Sequence, residues 1–153
     1  TAAMSLGAAA PASAAIGDIS GSDPAATGCS SGAYTIASRA ILDNSGHNYG
    51  TMEVRWSPSC QTNWVRVTPA PGLTGQMSKY IFRGKSYLSS GGALMPFSNT
   101  TIDTATVQSY GMQAYVPLNG DNQCVTVSAK YIVGNSIIAS TGTAQTAGQV
   151  TIC

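Results

Sequence analysis

Charge is what this sequence has least of. Only 8% of its 153 residues are Asp, Glu, Lys or Arg, against about 25% in an ordinary soluble domain. Seven Lys and Arg face six Asp and Glu, so there is no basic stripe to hold a phosphate backbone, which argues against a nucleic-acid partner. Histidine occurs once, as His47, and glutamate once, as Glu53. A Ser-His-acid triad would have to recruit that one imidazole, which sits in a polar turn beside Asp43 and Asn48. Paired-carboxylate chemistry fares no better, because Asp18, Asp23, Asp43, Asp103 and Asp121 stand mostly in turn-like contexts. The G-x-S-x-G string from Gly28 to Gly32 contains Cys29 and precedes a strand instead of a helix, unlike a nucleophile elbow. No catalytic residue is assigned, and the chain does not read as an enzyme.

Other absences narrow the field further. No C-x-x-C pair occurs, and the cysteine spacings are unlike those of a zinc site. Neither Asp121, within Asn119 to Asn122, nor Asp43 beside Asn44 has the spaced carboxylates of a calcium loop, so no metal or cofactor is assigned. Asn99, Thr100 and Thr101 form a glycosylation sequon that is read as chance. The longest uncharged stretch, at the N-terminus, is broken by Gly7 and Pro11 and is too weakly apolar to span a bilayer, so the chain is not read as membrane-spanning. Helical periodicity and internal repeats are also missing.

What remains is a β pattern. Short segments that alternate or are rich in β-branched and aromatic residues run over Tyr34–Leu42, Met52–Ser57, Trp64–Thr68, Ser78–Phe82, Thr104–Val116, Val125–Val133, Ser136–Ser140 and Gln149–Cys153. Gly, Pro and Asn-Gly turns separate them. In the first, Tyr34, Ile36, Ala40 and Leu42 share a face. In the second, Met52, Val54 and Trp56 oppose Thr51, Glu53 and Arg55, and a hairpin to the third follows. The expected fold is an all-β antiparallel sandwich or jelly roll with an extended N-terminal segment. The division is an assembly segment over residues 1–22 and a β domain over 23–153.

Four cysteines, Cys29, Cys60, Cys124 and Cys153, allow three pairings, and structural disulfides suit an extracellular, secreted or cell-surface setting. The pairing we prefer joins Cys29 to Cys60 and Cys124 to Cys153. Each bridge would close a loop of about thirty residues, worth roughly 3 kcal/mol by loop-closure entropy. The alternative is a covalent link between subunits.

The residues D-P-A-A-T-G-C (Asp23 to Cys29), G-T-M-E-V-R-W-S (Gly50 to Ser57) and S-C-Q-T-N-W-V-R-V (Ser59 to Val67) carry a resemblance. This stretch resembles a family of secreted bacterial domains of unknown function, found largely in actinobacteria. The resemblance implies a Cys29–Cys60 bridge and a Gram-positive extracellular setting, and it implies no activity.

Two candidate surfaces follow from the residues. The N-terminal stretch carries no charge through Ile16 and should fray unless a groove, a sheet edge or a neighbouring subunit holds it. Its A-x-A patterns resemble the end of a secretory signal, without the basic and apolar regions that precede one. As a strand it would present Met4, Leu6, Ala8 and Ala10 on one side, with Ile16 completing the assembly segment, and could add to a neighbour's sheet. Repeated head to tail, such a contact builds a filament, so the leading expectation is a structural homopolymer outside the cell. The second surface groups Glu53, Arg55 and Arg66 with Trp64. Arg55 opposite Arg66, with Glu53 diagonal, would be a surface ion-pair cluster or a binding site with Trp64 as stacking platform. The rival expectation is therefore a module that binds cell-wall polysaccharide, using aromatics from among Trp64, Tyr80, Tyr87, Tyr110 and Tyr115.

Overall fold

A computed structural model describes residues 17–84, 97–118, 123–143 and 146–153. The assembly-strand residues Met4, Leu6, Ala8, Ala10 and Ile16, together with Tyr87 and Asp121, lie outside the described residues. Among the described residues ten strands are formed: β1 (Tyr34–Leu42), β2 (Asn48–Ser57), β3 (Thr62–Pro69), β4 (Gln76–Arg83), β5 (Ser98–Thr104), β6 (Ser109–Tyr110), β7 (Ala114–Tyr115), β8 (Val125–Val133), β9 (Ser136–Ser140) and β10 (Val150–Ile152).

The all-β antiparallel expectation holds. All ten strands belong to one sheet in the order β5-β4-β8-β9-β1-β2-β3-β6, with β7 also on β3 and β10 on β8. That sheet curls nearly into a barrel, where a sandwich or jelly roll would need two layers. Its interior is filled by the alternating apolar side chains of β2, β3, β4 and β8. Met52, Val54, Val65, Val67, Met77, Ile81, Val125 and Val127 are all buried there. Burying such side chains contributes about 1.5–3 kcal/mol each.

The β2–β3 hairpin shows how the local sequence is satisfied. Its register pairs Met52 with Val67 and Val54 with Val65 on the inner side, and Glu53 with Arg66 and Arg55 with Trp64 on the outer side. Gly50 sits in β2 at φ +144°, where a Cβ would stand 2.6 Å from the Thr68 carbonyl oxygen. Only glycine tolerates that approach.

Three segments depart from the sequence pattern. β1 carries irregularities between Thr35 and Ala37 and between Ala40 and Leu42. Each extra residue shifts the alternation, so Ile41 and Ala37 pack on the core while Tyr34, Ile36, Ala40 and Leu42 stay exposed. The expected strand over Thr104–Val116 breaks into β6 and β7. Between them Gly111 N–H donates to Val65 O and Gln113 turns away to bond residues 21 and 22. The sequon segment, read as incidental, forms β5 along β4 from Gln76↔Thr104 to Phe82↔Ser98. Its threonines suit a pleated strand, and its lack of apolar alternation reflects a place at the edge of the sheet.

Beyond β8, the chain lays β9 and then β10 along the same side of that strand, with Lys130↔Ser140 above and Val127↔Val150 below. The Cys124–Cys153 bridge pins the end of β10 to the start of β8, and Cys29–Cys60 ties the segment before β1 to the β2–β3 loop. Both pairings are the preferred ones, and neither is intermolecular. The two bridges place the folded chain in an oxidising environment. No helix among the described residues is long and apolar enough to cross a membrane.

Residues 18–22, assigned by sequence to the N-terminal segment, are tied into the body. Gly21 N–H donates to Gln113 O, and Gln113 N–H donates to Ser22 O.

Candidate functional site: an open seam beside β1

Two places answer to the sequence-level candidates. On the outer face of β1–β3, the side chains singled out do meet. Glu53 lies directly opposite Arg66, which corrects the expected Arg55–Arg66 pairing by one step of two residues. Arg66 Nε donates to Glu53 Oε2 at 2.8 Å, Thr35 Oγ1 donates to Glu53 Oε1 at 2.8 Å, and Arg55 Nη1 donates to Thr35 Oγ1 at 2.8 Å. Arg55 Nη2 reaches Ala33 O. The hydrogen bond from Arg66, helped by Thr35, holds the Glu53 carboxyl below the usual glutamate range despite partial burial. Burial, with Arg66 nearby, lowers the Arg55 guanidinium. These charges are thus spent on one another, leaving little for an anionic ligand.

Trp64 shares that outer face and is only 3% exposed. The segment from Asp23 to Ala33 crosses this face, anchored at Tyr110 Oη→Asp23 Oδ1, at Cys29–Cys60 and at Arg55→Ala33 O. A buried indole is not a stacking platform. Tyr80 and Tyr115 are half-buried, and Tyr110 is exposed but engaged with Asp23. A row of open aromatics is therefore absent among the described residues. His47 stays in its turn, where Asp43 accepts from Ser45 and His47 N–H; those bonds, from Ser45 first, hold the Asp43 carboxyl low. No cluster of metal-ligating residues occurs among the described residues.

The second place is a gap in the sheet. On its side away from β2, β1 makes one ladder pair, Leu42↔Ser140. From Tyr34 to Ile41 that edge has no ladder partner among the described residues. β1 climbs to meet Ser140 beside Lys130, so its first residues lie level with the start of β8. There the neighbouring lane is held by β10, and no ladder joins β1 to β10. Unpaired edges are templates for strand addition, and natural proteins usually cover or charge them. Here the edge carries one charge, Arg39, whose Nη1 turns back to Ser38 O.

Apolar surface borders the gap at both ends. At the lower mouth Tyr34, Ile36, Trp56, Val116 and Leu118 line a groove of about 190 Å³, together with the polar Asn63 and Gln123. Tyr34 is 52% exposed and Leu118 59%. At the upper end a cleft of about 660 Å³ lies between the turn at Leu42, the exposed Ile137 and Ile138 of β9, and the loop at Gly142.

The opposite seam, where β3, β6 and β7 return to β4 and β5, is closed by groups that sequence reasoning passed over. Lys79 lies on the inner face of β4 between Met77 and Ile81 and is 1% exposed. Its Nζ donates to Asp103 Oδ1 at 2.7 Å and to Ser109 Oγ at 2.9 Å. Arg83, also buried, donates to Asp18 Oδ2 at 2.9 Å and Ser20 Oγ at 3.0 Å. Burial opposes ionisation at Asp18, but hydrogen bonds from Ser20 and Arg83 outweigh it and hold the carboxyl low. Fully buried Gln113 accepts from Thr62 Oγ1 and donates to Ser22 Oγ and Thr27 Oγ1. One signal was available: a lysine inside the apolar alternation Met77-x-Lys79-x-Ile81 must find a buried partner.

With this geometry in hand, comparison with known proteins adds a family. Residues 18–114 match the family described as protein of unknown function, DUF2690. No curated protein and no solved structure matches the chain.

Proposed function

Because the chain belongs to that family of proteins of unknown function, we propose its role from geometry: it is a structural subunit of an extracellular assembly, joined to the next copy by N-terminal strand addition. The observation that carries this reading is the unpartnered edge of β1. A strand with one satisfied side offers main-chain donors and acceptors for a strand from elsewhere. The uncharged, alternating segment from Met4 to Ala10 supplies such a strand. Scarce charge and a net charge of +1 lower the electrostatic repulsion between copies. A donor that leaves one body and completes another makes a head-to-tail contact, which propagates into a filament instead of closing. Two disulfides suit a durable subunit outside the cell, so secretion belongs to the same proposal.

The test compares the full chain with one lacking residues 1–16, by light scattering and negative-stain microscopy. Concentration-dependent filaments of the full chain that vanish on truncation support the reading. A full chain that stays monomeric at all concentrations overturns it. Cell-wall polysaccharide binding is the weaker alternative, because its proposed platform residue, Trp64, is buried.

A further inference from the structure

We propose that the acceptor in this assembly is the seam between β1 and β10, and that its occupant is the stretch Ala3 to Ala10 of the next copy. This rests on the strand-addition reading above and names its site.

Three observations converge on that pairing. The first is length. The free edge of β1 runs from Tyr34 to Ile41, and the N-terminal stretch from Ala3 to Ala10 matches it residue for residue. Pro11 follows, and a proline cannot donate to a ladder, so the added strand stops there.

The second is direction. β10 and β9 both run antiparallel to β8, and β1 runs antiparallel to β9. β1 and β10 therefore face each other antiparallel across the seam. A single strand laid between them must be antiparallel to one and parallel to the other. Parallel neighbours cannot be joined by a tight hairpin and need a long connection. No single strand between them can be joined by tight hairpins to both, and the N-terminal segment, separated from β1 by residues 11–33, needs neither. An antiparallel fit to β1 would place Ala10 beside Tyr34.

The third is side-chain chemistry. The groove at the lower mouth is walled by Tyr34, Ile36, Trp56, Val116 and Leu118. In a strand every second side chain points to one face, so Met4, Leu6, Ala8 and Ala10 would share a face, with Ala10 beside Tyr34 and Ala8 beside Ile36 at the groove. The small alanines would lie at the Tyr34 end and the larger Leu6 and Met4 further up, toward Ile41. The donor brings no charge into the groove. Where it leaves its own body is fixed too: Asp18 is held by Arg83, at the end of β4. The linker from Pro11 to Gly17 spans at most roughly 25 Å, enough to step from one body into an adjacent one.

Photocrosslinking on the full chain tests the seam and the assembly reading separately. Leu6 is replaced by a photoreactive phenylalanine analogue, the sample is irradiated at assembling concentration, and the products are resolved on a denaturing gel and mapped by peptide mass spectrometry. A ladder of covalent multimers with crosslinks to residues 34–41 is the expected result. A ladder with crosslinks elsewhere overturns the seam while leaving the assembly standing. Monomers crosslinked internally to residues 34–41 overturn the next copy as the source, and the assembly reading with it.

A second measurement guards against a probe that disturbs packing. Ile36→Lys puts a charge on an exposed edge position and should leave the unfolding midpoint within a few degrees of the parent. A peptide of residues 1–16, added to the chain lacking those residues, should bind the parent at least tenfold more tightly than the Ile36→Lys variant. Equal binding to both overturns the seam as acceptor.

Discussion

Where β3, β6 and β7 come round to β4 and β5, Lys79, Asp103, Ser109 and Gln113 tie the barrel shut with buried polar contacts. Where β1 comes round to β9 and β10, a single Leu42↔Ser140 pair does that work among the described residues, and apolar side chains stand exposed on both sides. The two seams draw on the same charge-poor sequence. Closing a seam by side chains needs donors and acceptors placed from several segments at once, and the closed seam consumes much of the chain's small supply. The open seam keeps its unspent bonding in the backbone of β1. Main-chain groups recognise any strand of suitable pattern, which makes this the surface suited to a repeating partner.

The largest effect should come from the disulfide that anchors the cover over the closed side. Replacing Cys29 and Cys60 together with alanine should cost about 3 kcal/mol, read as a lower urea midpoint. A change below about 1 kcal/mol would mean that the hydrogen bonds from Gln113, Arg83, Tyr110 and Arg55 hold residues 18–33 in place without the bridge.

Next comes the buried ion pair. Asp103→Ala strands the Lys79 ammonium among apolar neighbours and should cost about 2–3 kcal/mol. That is below the full penalty of a broken buried pair, because Asp103 is 36% exposed. Lys79→Met removes the charge and keeps the volume, so it should be near neutral. If the two variants lose the same stability, the pair is not what closes this seam.

Smallest is the response to acid. Glu53 and Asp18 are both held below their ordinary values of 4.5 and 3.8. A depressed folded-state pKa contributes stability that is complete above the ordinary value and is lost as pH falls through the folded one. Thermal unfolding should therefore be flat from pH 7 to about 5 and decline below about 4. Asp18→Asn should flatten part of that decline. A decline centred near pH 6 would break the assignment to these two carboxylates.

The sequence made some of this plain and hid the rest for physical reasons. The β2–β3 hairpin was legible because Met52, Val54 and Trp56 alternate with Thr51, Glu53 and Arg55, and one buried face enforces period two. Its register was misjudged, since alternation fixes which face a side chain takes but not how far one strand slides along the other. β5 was missed because an edge strand needs no apolar face, so Ser98 to Thr104 carries no pattern. Lys79 and Gln113 went unread because their partners, Asp103, Ser109, Thr62 and Ser22, are distant in sequence.

By itself the sequence determined an all-β chain poor in charge, with cysteines spaced for two bridges. Those properties follow from local periodicity and composition, which every residue reports independently. Only the tertiary structure decided that one curled sheet forms and that Trp64 is covered. It also decided that the free edge falls on β1, because closure depends on how strands far apart in the chain meet.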